Sequence, residues 1–324
     1  MSRIFDALQR SQGEAPTPRA TTPTPPAAPE ALTSVMEANA NDVASPQAEA
    51  THATAAAVRS PHDWLSVPPE RVLHPEPTPE QRIVTLTDHN GAGAEMFRVL
   101  GTRLAHMKDK RPLSKLLVSS AVMDEGKSVV AVNLAIALCQ RPGERILLIE
   151  ADLRRPTASL LLSSTPTKGI TEWHRGELAI NDALYRVGDL PLWFLSAGAG
   201  VDKPLPILES LEFANMIETV SAHFDWVILD STPMLPMADA ASLARLSDGV
   251  LVVVREGHTR RKLLNKALDT IDSKKLLGLV FNEAVSQQAA YNHFGGYGYY
   301  SNTSSGKKSS RNSTNEDQGK AATA

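Results

Sequence analysis

The chain has 324 residues, 42% hydrophobic and 21% charged, with a formal net charge of -3. Residues 1–80 carry 5 basic and 10 acidic side chains, residues 81–284 carry 24 of each, and residues 285–324 carry 4 basic and 2 acidic, a balance that argues against a dedicated nucleic-acid-binding domain, which is usually basic. A single cysteine, Cys139, excludes an intramolecular disulfide, the nine histidines show no zinc-type pair spacing, and apolar runs such as Gly249–Val254 are strand-length, far short of the roughly 18 residues that span a bilayer.

Residues 1–12 can form a short amphipathic helix, with Ile4, Phe5 and Leu8 on one face and Ser2 at the cap position. The segment is compatible with a docking helix or with a frayed end, and it lacks the apolar core of a secretory signal. A reducing, cytoplasmic setting fits the cysteine usage. Thirteen of the 22 prolines lie in residues 1–80. With so much Pro, Ala and Thr, residues 13–82 read as a disordered linker interrupted by a small apolar island at Trp64 and Leu65.

Order is expected from about Ile83. Met96, Phe97, Leu100, Leu104 and Met107 recur at helical spacing over 94–107. Lys115–Ser120 reads as a buried strand, followed by a glycine turn at Gly126 and a helix through Ala131–Leu138. Further strands are expected at Arg145–Ile149, Leu192–Ser196, Trp226–Leu229, Val250–Val254 and Leu276–Phe281. Helical stretches near 206–222, 238–246 and 260–272 separate the later ones. Apolar strands alternating with helices predict an α/β fold, a parallel sheet covered on both faces, over residues 83–284. Beyond it, residues 285–324 turn to Ser, Asn, Gly and Lys and read as a flexible tail.

Three strand ends carry chemistry. Ala121-Val122-Met123-Asp124-Glu125-Gly126-Lys127-Ser128 fits the phosphate-loop pattern [AG]-x4-G-K-[ST] between a strand and a helix. Backbone N–H groups and the helix N-terminus suit phosphate oxygens, Lys127 can reach the β- and γ-phosphates, and the Ser128 hydroxyl can bind Mg²⁺. Ile146–Glu150 runs into Glu150-Ala151-Asp152-Leu153-Arg154-Arg155-Pro156. Asp225–Leu229 runs into Asp230, the form of a Walker B motif. Ligands gather at the carboxyl ends of parallel strands, so Lys127, Ser128, Asp152 and Asp230 are expected to converge on one magnesium–nucleotide site. The alternative is that strand-end carboxylates merely cap helices.

Together these motifs resemble the bacterial tyrosine kinases of capsule and exopolysaccharide biosynthesis, P-loop relatives of the MinD/ParA ATPases, over roughly residues 83–300. The strand–Glu150-Ala151-Asp152-Leu153-Arg154 segment matches that family's second Walker motif. The resemblance implies a P-loop NTPase fold, with ATP and Mg²⁺ as cofactors and transfer of the γ-phosphoryl to tyrosine. Catalytic roles fall to Lys127, Asp152 and Asp230, and metal binding to Ser128, Asp152 and Asp230. Nucleotide contacts fall to Asp124, Glu125, Gly126, Lys127, Ser128 and Val129, with Asn282 beside the adenine. Four of the five tyrosines, Tyr291, Tyr297, Tyr299 and Tyr300, lie within ten residues of the tail, which suits them as phosphoacceptors; Tyr185 is the fifth. The resemblance also implies a membrane-embedded polysaccharide chain-length (co-polymerase) protein as activating partner, recruitment to the inner face of the membrane through it, a homo-oligomer, and no nucleic acid.

The chain departs from the family pattern in places. Glu150 replaces the usual Asp at the first carboxylate. Met123-Asp124 stands where Pro-Gly is common. In the expected helix 94–107, the E-x-x-R-x-x-R subunit-packing pattern reads Glu95, Arg98 and Gly101. Two other readings stay open on sequence alone: a cargo-positioning MinD/ParA-type ATPase, which Val122 disfavours because that class carries a lysine there, and a nucleotide-dependent scaffold with little catalysis.

Overall fold

The computed structural model describes residues 67–164 and 166–283. The expected helix 1–12, most of the linker and all four tail tyrosines lie outside the described residues. In chain order the strands are β1 (Val72–Leu73), β2 (Lys115–Ser120), β3 (Ile146–Glu150), β4 (Leu184–Val187), β5 (Leu192–Leu195), β6 (Trp226–Asp230), β7 (Gly249–Arg255) and β8 (Leu276–Asn282). The helices are α1 (Val84–Thr87), α2 (Ala92–Lys108), α3 (Lys127–Leu138), α4 (Ala158–Leu161), α5 (Ile170–His174), α6 (Leu205–Leu208), α7 (Leu211–Ser221), α8 (Asp239–Leu246) and α9 (Arg261–Leu268).

The eight strands form one sheet in the order β1-β4-β5-β3-β6-β2-β7-β8, parallel throughout except for the β4–β5 pair. Alternation along each strand divides its side chains between two cores. Leu117, Leu147, Ile149, Val227, Leu229 and Val252 face one core, with Phe213, Ile217, Leu243 and Leu264 from α7, α8 and α9. Leu116, Val118, Ile146, Leu148, Trp226 and Ile228 face the other, with Leu104 and the apolar side of α3. Trp226 and Phe194 are fully buried, each stabilising the fold by about 1.5–3 kcal/mol. Both faces are therefore covered, which is why these strands read as near-continuous apolar runs. The chain leaves β2 through α3 and enters β3 on the far side of β6. The chain later passes from β6 to β7 on the opposite side of β2, and this change of direction puts the switch point at the carboxyl ends of the central strands, where ligands gather.

The fold differs from expectation at its margin. The segment assigned to linker up to residue 82 contains β1, which pairs with β4 through Val72↔Arg186 and Leu73↔Val187. Arg71 fastens it by donating to the carbonyls of Asn181 at 2.8 Å and Leu184 at 3.2 Å. Backbone pairing, Arg71 and the packing of Leu73 against the core hold it, and two residues are too few to show a hydrophobic periodicity. The stretch 206–222 is two helices, divided where the Ser210 hydroxyl accepts the Phe213 N–H at 3.0 Å and caps α7. Gly101 lies buried on α2, where a Cβ would come within 3.3 Å of Leu138 on α3. Position 101 thus serves helix packing, while Glu95 and Arg98 pair with each other at 2.6 Å.

Candidate functional site

The phosphate loop crosses from β2 to α3 through two left-handed residues, Asp124 (φ 62) and Gly126 (φ 87). Gly126 also has no room for a side chain: a Cβ would lie 2.1 Å from Asn282 Nδ2. Asn282, at the end of β8, donates to the Glu125 carbonyl at 3.0 Å. The Glu125 side chain is buried and turned inward. One oxygen accepts the Val122 N–H at 3.0 Å and the other meets the Thr259 hydroxyl. Arg255 Nη1 donates to the Asp124 carbonyl at 3.3 Å. Glu125 and Asn282 therefore brace the loop from behind. Val129 lies in the first turn of α3, where its carbonyl accepts from Asn133 at 2.9 Å.

Lys127 and Ser128 begin α3 and face the ends of β3 and β6. Lys127 Nζ lies 3.0 Å from Asp152 Oδ2 and 3.4 Å from Ser128 Oγ. Burial opposes the Lys127 charge, yet the attraction of Asp230, Asp152 and Asp124 outweighs it and holds the pKa above the ordinary lysine value. Asp152 Oδ1 accepts the Arg155 N–H at 3.0 Å. Asp230 is fully buried, and neither of its carboxylate oxygens has a hydrogen-bond partner among the described residues. Burial pushes its carboxyl up to about 7, against the opposing pull of the Lys127 charge and the nearby Ser128 hydroxyl; Glu150 and Asp152 add to the rise. The Thr232 hydroxyl, two residues on, is also buried and unpartnered.

An orphaned buried carboxylate next to a lysine and a serine is costly unless something completes it. Magnesium fits, because it commonly takes one or two carboxylates together with waters and substrate phosphates. Among the described residues no group of three or more His, Cys, Asp and Glu could hold a metal by itself.

No family model matches the chain. The tyrosine-protein kinase YwqD of Bacillus subtilis is 28% identical over 219 residues, covering 67% of this chain and 92% of that protein. The tyrosine-protein kinase CpsD of Streptococcus agalactiae is 31% identical over 207 residues, covering 63% of this chain and 89% of its own. The chain belongs to the bacterial tyrosine kinases. The kinase domain of the Escherichia coli tyrosine kinase ETK shares its fold, with a TM-score of 0.59 and 25% identity over 62% of this chain and 79% of that one. The succinoglycan biosynthesis transport protein ExoP of Rhizobium meliloti is 32% identical over 209 residues, 63% of this chain but 26% of ExoP.

In this kinase Lys127, Ser128, Asp152 and Asp230 lie together at the strand ends. Glu150, which stands where the family usually has Asp, is bound into the scaffold. Its carboxylate accepts the N–H of Ser159 at 2.9 Å and of Ala197 at 3.2 Å, and meets the Ser159 hydroxyl. It fastens α4 and the end of β5 to the sheet. Arg154 donates to both oxygens of buried Asp239, at 2.6 and 3.3 Å. Asp239, Thr232, Met237 and Thr157 were not singled out in the sequence. The last three line a cavity of about 230 Å³ beside Lys127 and Asp152, with Met123, Asp124, Arg154, Arg155 and Pro233. Only Thr232 carried a usable signal, its place just past the Walker B strand. No helix among the described residues is long and apolar enough to cross a membrane.

Proposed function

We propose that this kinase phosphorylates its own tail tyrosines, Tyr291, Tyr297, Tyr299 and Tyr300, and thereby regulates assembly and export of an exopolysaccharide or capsule. The observation that carries the reading is the pairing of Lys127 with Asp152 at 3.0 Å directly beside the unpartnered carboxylate of Asp230. In the reaction, a tyrosine oxygen bonds to the γ-phosphorus of ATP. The bond from that phosphorus to the β–γ bridging oxygen breaks, and ADP leaves with the electron pair. Catalysis of this kind is mostly positioning and charge neutralisation. Lys127 turns to the phosphates and releases Asp152 Oδ2, which accepts the phenolic proton. Loop N–H groups and the start of α3 hold the phosphate oxygens. Magnesium held by Ser128 and Asp230, with Asp152 nearby, would offset charge on the phosphates when bound.

Tyr185 is 7% exposed, and burial raises its hydroxyl pKa, so it is unsuited as an acceptor in the folded protein. A membrane-embedded polysaccharide chain-length protein would supply activation through its cytoplasmic end and bring the kinase to the inner face of the membrane. The similarity to ExoP, by its name a succinoglycan biosynthesis transport protein, supports this. A second copy of the kinase would present the tail in trans, making the working form a homo-oligomer.

The test is incubation of full-length protein with Mg-ATP, with and without that cytoplasmic peptide, read on a phosphotyrosine blot. Wild type should label and Lys127→Met should not. Replacing the four tail tyrosines by Phe should remove the label and leave ATP binding intact. A labelled Lys127→Met protein would overturn the assigned site.

A further inference from the structure

The two arginines after Asp152 are not equivalent. Arg154 is committed to Asp239 through two hydrogen bonds. Arg155 has no ion-pair partner among the described residues; the one contact of its guanidinium is Met123 Sδ, 3.8 Å from Nη1, and the side chain is exposed. A thioether is a weak acceptor and a guanidinium has five donors in a planar fork, so this cation is poised for an oxyanion, phosphate above all. The Arg155 N–H is bound to Asp152 Oδ1, which anchors its backbone beside the catalytic carboxylate, and its side chain lines the 230 Å³ cavity together with Met123, Pro233 and Met237. Those three offer apolar surface for a phenol ring, with Asp152 inside for its hydroxyl.

We infer that Arg155 forms a phosphate subsite on the wall of the acceptor cavity, so that a tyrosine two residues from a phosphotyrosine is the preferred acceptor. The inference rests on the phosphotransfer reading above and adds an order to it. In an extended segment side chains two residues apart point to the same side, spaced by about 6.6 Å. Tyr297 and Tyr299 have that separation. With one ring in the cavity, a phosphate on the other runs alongside it at that spacing, within reach of a long exposed arginine on the cavity wall, and carries a charge of about −1.5 to −2. Modification of the tail would then be self-priming. The same guanidinium could instead serve the γ-phosphate of ATP; the shared chemistry is a phosphate dianion, and the experiment separates the two sources.

Two peptides spanning residues 294–303 serve as probes, both with Tyr299 as the acceptor and Tyr300 replaced by Phe. One has phosphotyrosine at 297, the other phenylalanine. With full-length wild type, kcat/KM should favour the phosphorylated peptide by about fivefold, the size expected of one exposed charge-assisted pair, and the preference should shrink with added salt. Arg155→Ala should bring the ratio to near 1, and Arg155→Lys should restore part of it. A ratio near 1 in wild type, or an Arg155→Ala protein that keeps the ratio and instead raises the KM for ATP, overturns the inference and assigns Arg155 to the nucleotide. Fluorescence anisotropy of both labelled peptides on ADP-loaded protein provides the second reading. If neither peptide is turned over, the phosphotransfer reading has failed. Tighter binding of the phosphopeptide that is lost in Arg155→Ala would still support the subsite, and equal binding would overturn it.

Discussion

The ends of β3 and β6 lie side by side in register, Glu150 opposite Asp230, and both carboxylates are fully buried. Their surroundings differ. Glu150 is met by two backbone N–H groups and a hydroxyl from Ser159 and Ala197, whereas Asp230 has the Ser128 hydroxyl nearby but no hydrogen-bond partner among the described residues. A buried acid supplied with donors belongs to the scaffold, because its desolvation cost is offset within the protein. A buried acid without them is held by its neighbours in an unfavourable setting, which is how a binding site differs from a core.

The largest expected effect would break the comparison at its functional end. Asp230→Asn should lower phosphotransfer by on the order of a hundredfold or more, measured by initial rate, with the far-UV circular dichroism unchanged. Glu150→Ala should instead lower stability by about 2–3 kcal/mol, measured by urea melts, because it leaves the Ser159 and Ala197 donors unpaired. Loss of activity at full stability in Glu150→Ala would place that acid in the reaction and end the contrast.

Next in size is pH. The Asp230 carboxyl stands near 7 in the folded protein against 3.8 ordinarily. Between these values the unfolded chain loses a proton that the folded chain keeps, so ligand-free stability falls as pH rises through that window, by up to about 4 kcal/mol. Urea melts from pH 4 to 8 should show the slope, Asp230→Asn should flatten it, and Mg-ADP should flatten it in wild type. A rise in ligand-free stability across the same window would contradict the burial argument.

The smallest effect concerns α2. Gly101→Arg, which restores the family pattern at that position, should cost about 1–3 kcal/mol through overpacking against Leu138. A Gly101→Arg protein as stable as wild type in urea melts would mean that this helix face opens readily.

The legible parts of the molecule are those where one local pattern decides the outcome. The run from Lys115 to Leu138 combines an apolar strand, a glycine turn and a helix, and its structure follows that order. Asp152 and Asp230 are readable because hydrophobic strands lead into them. The β4 strand is not, since four residues beside a two-residue partner carry too little periodicity. The role of Glu150 depends on Ser159, nine positions on, and on Ala197, forty-seven positions on. Asp239 binds Arg154 across 85 positions. Such partners are set by tertiary packing, which leaves no spacing to read.

The bracing of the phosphate loop has a consequence for affinity. Thr259 and Asn282 hold Glu125 from 134 and 157 residues away, so the shape of the loop depends on the last strands of the sheet. A nucleotide then meets a cradle already formed, and little ordering entropy is charged to binding. Residues that never touch the phosphates thereby govern how tightly they are held.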